Sequence, residues 1–171
     1  MQRWRGQDEI PSDWGRCVVT IGVFDGVHRG HQELIGRAVK AGRSRGIPTV
    51  LMTFDPHPME VVFPGSHPAQ LTTLTRRAEL VEEMGIDVFL VMPFTSDFMK
   101  LTPDRYVHEL LVERLHVVEV GEGLDEGEAV DAARDRELVG AVLGRGGVDL
   151  LAPEPGHEAL QRAPEYAGKS A

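Results

Sequence analysis

Val18-Val19-Thr20-Ile21-Gly22-Val23-Phe24-Asp25-Gly26-Val27-His28-Arg29-Gly30-His31 is the stretch that decides the fold. Its first part, residues 18–23, is short, β-branched and apolar, which reads as a buried strand. Glycines and polar residues break it. Leu34, Ile35, Ala38 and Val39 then recur at helical spacing, and Gly46 and Pro48 close the helix in the expected order. A buried strand, a glycine-bearing turn and a helix in that order make the opening of a β-α-β unit.

The same alternation continues downstream. Residues 49–54 form a second apolar strand, and a Pro- and Gly-containing loop follows over 55–73, longer than most connections. A helix from about Thr75 closes at Gly85, and residues 86–92 form a third strand. Thr102 is a good N-cap with Pro103 at the first helical position, and Tyr106, Val107, Leu110, Leu111 and Leu115 give the next helix its apolar face. Residues 117–120 read as a fourth strand, 134–143 as a helix and 148–152 as a last strand. Strands alternating with helices predict an α/β fold: a Rossmann-like parallel sheet with helices on both faces. Residues 1–152 are expected to form one domain and 153–171 a frayed tail. Residues 1–14 are mixed in charge, with no apolar run.

Composition narrows the function. A chain of 171 residues with net charge −9 lacks the clustered cations that a nucleic-acid backbone demands. No stretch approaches the roughly 20 apolar residues of a membrane span, and residues 1–14 do not resemble a signal peptide. The lone cysteine, Cys17, opens an apolar run and reads as a small buried hydrophobe. A cytoplasmic protein is expected. Nothing in the sequence specifies an oligomeric state.

Right-handed crossovers place every strand's C-terminal end along one edge of the sheet, where ligands bind. Two loops on that edge carry chemistry. In the first, His28 and His31 are three residues apart at a helix start and share a face. Free main-chain N–H groups and the positive end of the helix dipole lie beside them. Gly26 and Gly30 remove side chains where phosphates would approach the backbone. The combination suits a triphosphate, with both imidazoles stabilising charge that grows during phosphoryl-group transfer. His57 could join the pair around zinc, but no cysteine or acidic cluster at metal spacing accompanies the three, so no metal site is expected. The second loop is Phe54-Asp55-Pro56-His57-Pro58. Its rings could form a flat wall beside a heteroaromatic ligand, with Asp55 and His57 as polar handles; equally, Pro-His-Pro could simply end a strand.

Both motifs resemble signatures of the FMN-adenylylating domain of bacterial FAD synthetases. The first matches the family's G-x-F-D-G-x-H-x-G-H version of the HxGH motif across ten positions, and the second matches T-F-D-P-H-P. Further likeness runs from about Trp14 to Val120, through residues 71–85 and 93–106. The resemblance implies a nucleotidyltransferase-type fold. It implies that Gly22, Phe24, Asp25 and Gly30 bind the nucleotide while His28 and His31 act on its phosphates. It also implies that Phe54, Asp55, Pro56, His57 and Pro58 line the flavin side. ATP with Mg²⁺ and FMN are the expected ligands; FAD and pyrophosphate are the expected products.

The likeness thins after residue 120. Residues 121–128 lack the Asn and the aromatics of the family's G-x-N/D-F-x-F-G segment, and residues 119–137 hold eight Asp or Glu against two Arg. No S/T-S/T-x-x-R phosphate clamp and no riboflavin kinase domain are found. Two further readings follow from these departures: transfer to another phosphorylated acceptor, or a catalytically impaired paralogue that binds nucleotide without turnover.

Overall fold

The structure is a computed structural model, describing residues 1–65 and 69–120. Five parallel strands form one sheet in the order β1-β4-β3-β2-β5: β1 Gln2–Arg5, β2 Cys17–Ile21, β3 Thr49–Asp55, β4 Val88–Pro93 and β5 Val117–Val120. The central three are buried almost end to end, as strands covered on both faces must be. Their pleat sorts the core. Val50, Met52 and Phe54 point to one face with Leu90 and Met92, while Leu51, Phe89 and Val91 point to the other. The second face is covered by α1 (Arg29–Arg45), through Ile35 and Val39, and by α3 (Leu74–Glu83), through Ala78 and Val81. The first face is covered by α4 (Pro103–Arg105), which runs on as a π-helix over Tyr106–Arg114.

Three differences from the sequence reading have physical reasons. β1 lies in the charged N-terminal segment, where no strand was expected. It is a four-residue edge strand that buries only Trp4 and turns Gln2, Arg3 and Arg5 outward, so it carries no apolar run. The first strand ends at Ile21 rather than at residue 23, because Gly22 and Val23 already begin the turn. The loop after β3 contains a short helix, α2 (Pro58–Val62), with Pro at its start. The helix expected over 134–143 and the strand over 148–152 lie outside the described residues. Cys17 is buried as expected: its thiol donates to Leu115 O at 3.2 Å, and burial pushes its pKa up to about 12.

Strand order fixes where the site sits. β3 and β4 lie on one side of β2, and β5 lies on the other. The order therefore reverses at β2, and in open parallel sheets ligands bind outside the carboxyl ends at such a reversal. The loop that leaves β2 there is residues 22–28.

Candidate active site

The β2–α1 turn is bent more sharply than a loop need be. Phe24 and Val27 hold left-handed backbone at φ 53° and 41°, with Gly26 between them at φ 70°. Two non-glycine residues in that region are costly, by about 1–2 kcal/mol each, and such strain clusters at functional sites. The bend swings the Phe24 ring into the core, fully buried under α1 and α3. Gly22 makes this possible, since a Cβ there would lie 3.2 Å from the Phe24 ring. Gly30 acts likewise: its Cβ would sit 3.3 Å from His28 Cε1. The space freed at these two glycines holds the chain's own rings, and at Gly30 the His28 ring stands where the sequence suggests room for phosphate. Gly26 has both a positive φ and a tight neighbour, with Leu71 Cδ1 3.0 Å from its missing Cβ.

His28 caps α1. Its Nδ1 accepts the His31 N–H at 3.3 Å, so the neutral ring carries its proton on Nε2, free to donate outward. His31 stacks on it with ring centroids 3.6 Å apart and planes 19° apart, while Phe24 meets the far edge of His31 at 5.2 Å. His31 Nδ1 is buried without a hydrogen-bond partner. Burial, reinforced by the neighbouring His28 and Arg77, pulls the His31 pKa down to about 4, with Asp25 opposing. Near pH 7 the pair is therefore a stacked dyad around a neutral His31, beside the first N–H groups of a 17-residue helix, Arg29 and Gly30 among them.

Asp25 is engaged by the protein's own donors. Its carboxylate accepts Leu71 N–H at 2.7 Å, Thr72 N–H at 2.9 Å and Thr72 Oγ1–H at 2.8 Å, and Arg77 approaches at 3.3 Å. Partial burial works to raise its pKa, but these donors and the Arg77 charge hold it below the usual carboxylate range. Thr72 Oγ1 also receives Gly26 N–H at 3.0 Å, so the turn and the 70–73 segment are laced together. The sequence reading made Asp25 a nucleotide contact and missed Arg77. Arg77 falls within the 71–85 stretch that carries the resemblance, but its burial becomes visible only in three dimensions.

The second loop leaves β3, the strand next to β2, with Ile21 opposite Met52. Both loops thus open on one edge. Phe54 is 4% exposed, packed against Phe94 at 5.5 Å and Phe98 at 5.9 Å, so it forms the floor of the loop and not a free wall. The Asp55–Pro56 bond is cis, and Pro56 is exposed. Asp55 pairs with Arg5 at the end of β1. His57 Nδ1 caps α2 by accepting Met59 N–H at 3.0 Å, with Pro58 next in the helix. The described residues contain no group of three His, Cys, Asp or Glu that could hold a metal ion. His57 thus does not gather with His28 and His31 around an ion.

Comparison with known proteins settles the lineage. The family model described as FAD synthetase matches residues 10–144. The chain belongs to the FAD synthetase family. Curated relatives carry the name bifunctional riboflavin kinase/FMN adenylyltransferase. The Escherichia coli K12 protein is 41% identical over 101 residues, covering 59% of this chain and 32% of that protein. The Listeria monocytogenes protein is 38% identical over 125 residues, covering 68% and 40%. The Pseudomonas fluorescens protein is 33% identical over 160 residues, covering 82% and 51%. The chain therefore spans about a third to a half of the length of these FAD synthetase relatives. A solved Streptococcus pneumoniae structure, described as a macrolide-efflux protein, superposes with TM-score 0.62 at 27% identity, over 77% of this chain and 44% of that one. It shares the α/β architecture; among the described residues here, no helix is long and apolar enough to cross a membrane.

Proposed function

We propose that the chain transfers the adenylyl group of ATP to FMN. The FMN phosphate oxygen attacks the α-phosphorus, the bond from that phosphorus to the bridging oxygen of the β-phosphate breaks, and FAD and pyrophosphate leave. No protein nucleophile is required. Membership of the family and the names of its relatives support this reading. The observation that carries it is the stacked imidazole pair at the start of α1, with His31 Nδ1 buried and unpartnered at the strand-order reversal. An orphaned polar atom beside a strained turn is what a site built for a ligand leaves behind.

In this reading His28 donates from Nε2 to a phosphate oxygen, and His31 gains positive charge once the ligand's negative charge favours its protonation. Fixed donors of this kind stabilise charge growing on the phosphoryl oxygens more in the transition state than before it. Gly22, Phe24, Gly30 and Asp25 shape this nucleotide site, the first three through ring packing and Asp25 through the 70–73 segment. Phe54 to Pro58 take the flavin side, with Phe54 as support and Pro56 at the surface. Asp25 has both carboxylate oxygens engaged, so the described residues do not fit a protein-held metal, and Mg²⁺ enters as part of the nucleotide substrate. Residues 1–152 would form the transferase domain.

The test is incubation with ATP, Mg²⁺ and FMN, with FAD and pyrophosphate separated by chromatography. His28→Ala and His31→Ala are each expected to lower the rate by roughly 10²–10³. Pyrophosphate released only with a different acceptor would move the specificity to that acceptor. ATP binding with no product at all would sink the catalytic reading.

A further inference from the structure

We propose that Arg77 is a positioning residue for the imidazole pair, holding the β2–α1 turn in its strained form from behind while touching no ligand itself. The inference rests on the adenylyl-transfer reading for its purpose, but not for its test. The Arg77 side chain is 1% exposed on α3, so a substrate cannot reach it. One terminal nitrogen faces Asp25 Oδ1 at 3.3 Å, Gln70 Oε1 at 3.2 Å and Thr72 O at 3.3 Å. The other meets Thr53 Oγ1 at 3.4 Å. Thr53 Oγ1 in turn donates to Val23 O at 3.0 Å. A single planar cation thus spans the C-terminal end of β3, both flanks of the turn at Val23 and Asp25, and the 70–72 segment that holds Asp25 from the other side.

A buried charge is a poor way to gain stability, because desolvation offsets most of the Coulomb attraction and an apolar residue of similar volume does as well. Here the geometry is not even economical: four contacts are long, and Nε is buried with no partner at all. What the guanidinium supplies is direction. The turn must keep Phe24 and Val27 at positive φ against their own preference, and Asp25, which lies between them, is the handle by which it is held. Releasing that handle lets the turn relax toward ordinary backbone, which unstacks His31 from His28 and moves the donors that phosphates would meet. A cation near His31 also favours the uncharged ring, in line with the depressed titration of that residue.

The test compares wild type with Arg77→Lys and Arg77→Met by amide hydrogen exchange, read residue by residue. Lys retains the charge but has a single nitrogen, so it cannot meet Thr53 and the Asp25–Gln70–Thr72 set at once; Met fills the volume without charge. The expected result is exchange faster by about tenfold or more at Gly26, Leu71 and Thr72, whose N–H groups make the laced bonds, with Thr20 and Leu51 in the sheet unchanged. Lys should be milder than Met. Unchanged exchange at the three amides would overturn the proposal, and so would a uniform rise across the sheet, which is what a merely structural core residue gives. If Met prevents folding, Lys carries the comparison alone. In the transfer assay Arg77→Lys is expected to lower kcat roughly ten- to a hundredfold with KM for ATP within about threefold. A wild type that forms no FAD would defeat the reaction assigned above while the exchange experiment still decides the clamp.

Discussion

Protonating His31 should cost the fold a measurable amount, in a pH window set by its burial. The ring's pKa falls from an ordinary 6.5 to about 4 because the charged form is desolvated between His28 and Phe24, with Arg77 nearby. An unfolded chain has a normal imidazole. Between pH 6.5 and about 4 the unfolded state therefore binds more protons than the native state, and stability falls as pH falls. The contribution is complete above 6.5 and gone below about 4. At full strength the shift corresponds to roughly 3 kcal/mol. His31 is only partly buried, and solvent screening brings this to about 1–2 kcal/mol. Acid destabilises most folded proteins through several groups at once, so the quantity to measure is a difference. Urea unfolding of wild type and His31→Gln at pH 7.5 and pH 4.5 removes the shared terms. Wild type is expected to lose about 1–2 kcal/mol more than the variant, a midpoint displacement of about 0.5–1 M urea. An NMR titration of the ring should place its midpoint well below the ordinary imidazole value, and MgATP should move it upward as phosphate charge favours the protonated ring. Equal losses in the two proteins, or a midpoint at the ordinary value, would refute the argument that packing keeps His31 neutral.

Two substitutions test the frame instead of the site. Gly42→Ala lies within α1, where propensity alone predicts a gain of about 1 kcal/mol; yet its Cβ would lie 2.9 Å from the Ile47 carbonyl oxygen and against Thr49 Oγ1, so unfolding measurements should instead show a loss of about 1–3 kcal/mol. Tyr106→Phe removes a buried hydroxyl whose one hydrogen bond is to the thioether of Met52 at 3.4 Å, a weak acceptor; thermal unfolding should show a change within about 0.5 kcal/mol or a gain.

What the sequence revealed, and what it hid, divides along a physical line. β2, β3 and β4 were legible because each is buried on both faces, and such strands must be apolar at nearly every position. β1 was hidden because an edge strand that buries one tryptophan has no periodicity to read. The π-helical path of Tyr106–Arg114 was hidden too, since its apolar spacing suits an α-helix as well. At the site, His28 and His31 could be paired from spacing, because one is the N-cap of α1 and the other lies in its first turn. The partners of Asp25 could not. They come from residues 70–77, far along the chain, and meet the turn only because α3 packs beside α1 on one face of the sheet. That distance puts them beyond any argument from local spacing. A motif records which residues a site requires, whether they touch the ligand or hold the residues that do. Here the imidazoles stack at the start of α1, and the aspartate beside them meets a buried arginine. Under the proposed adenylyl transfer, recognition and rigidity in this turn are divided between neighbours in sequence, and a substitution at either should impair the same chemistry by different routes.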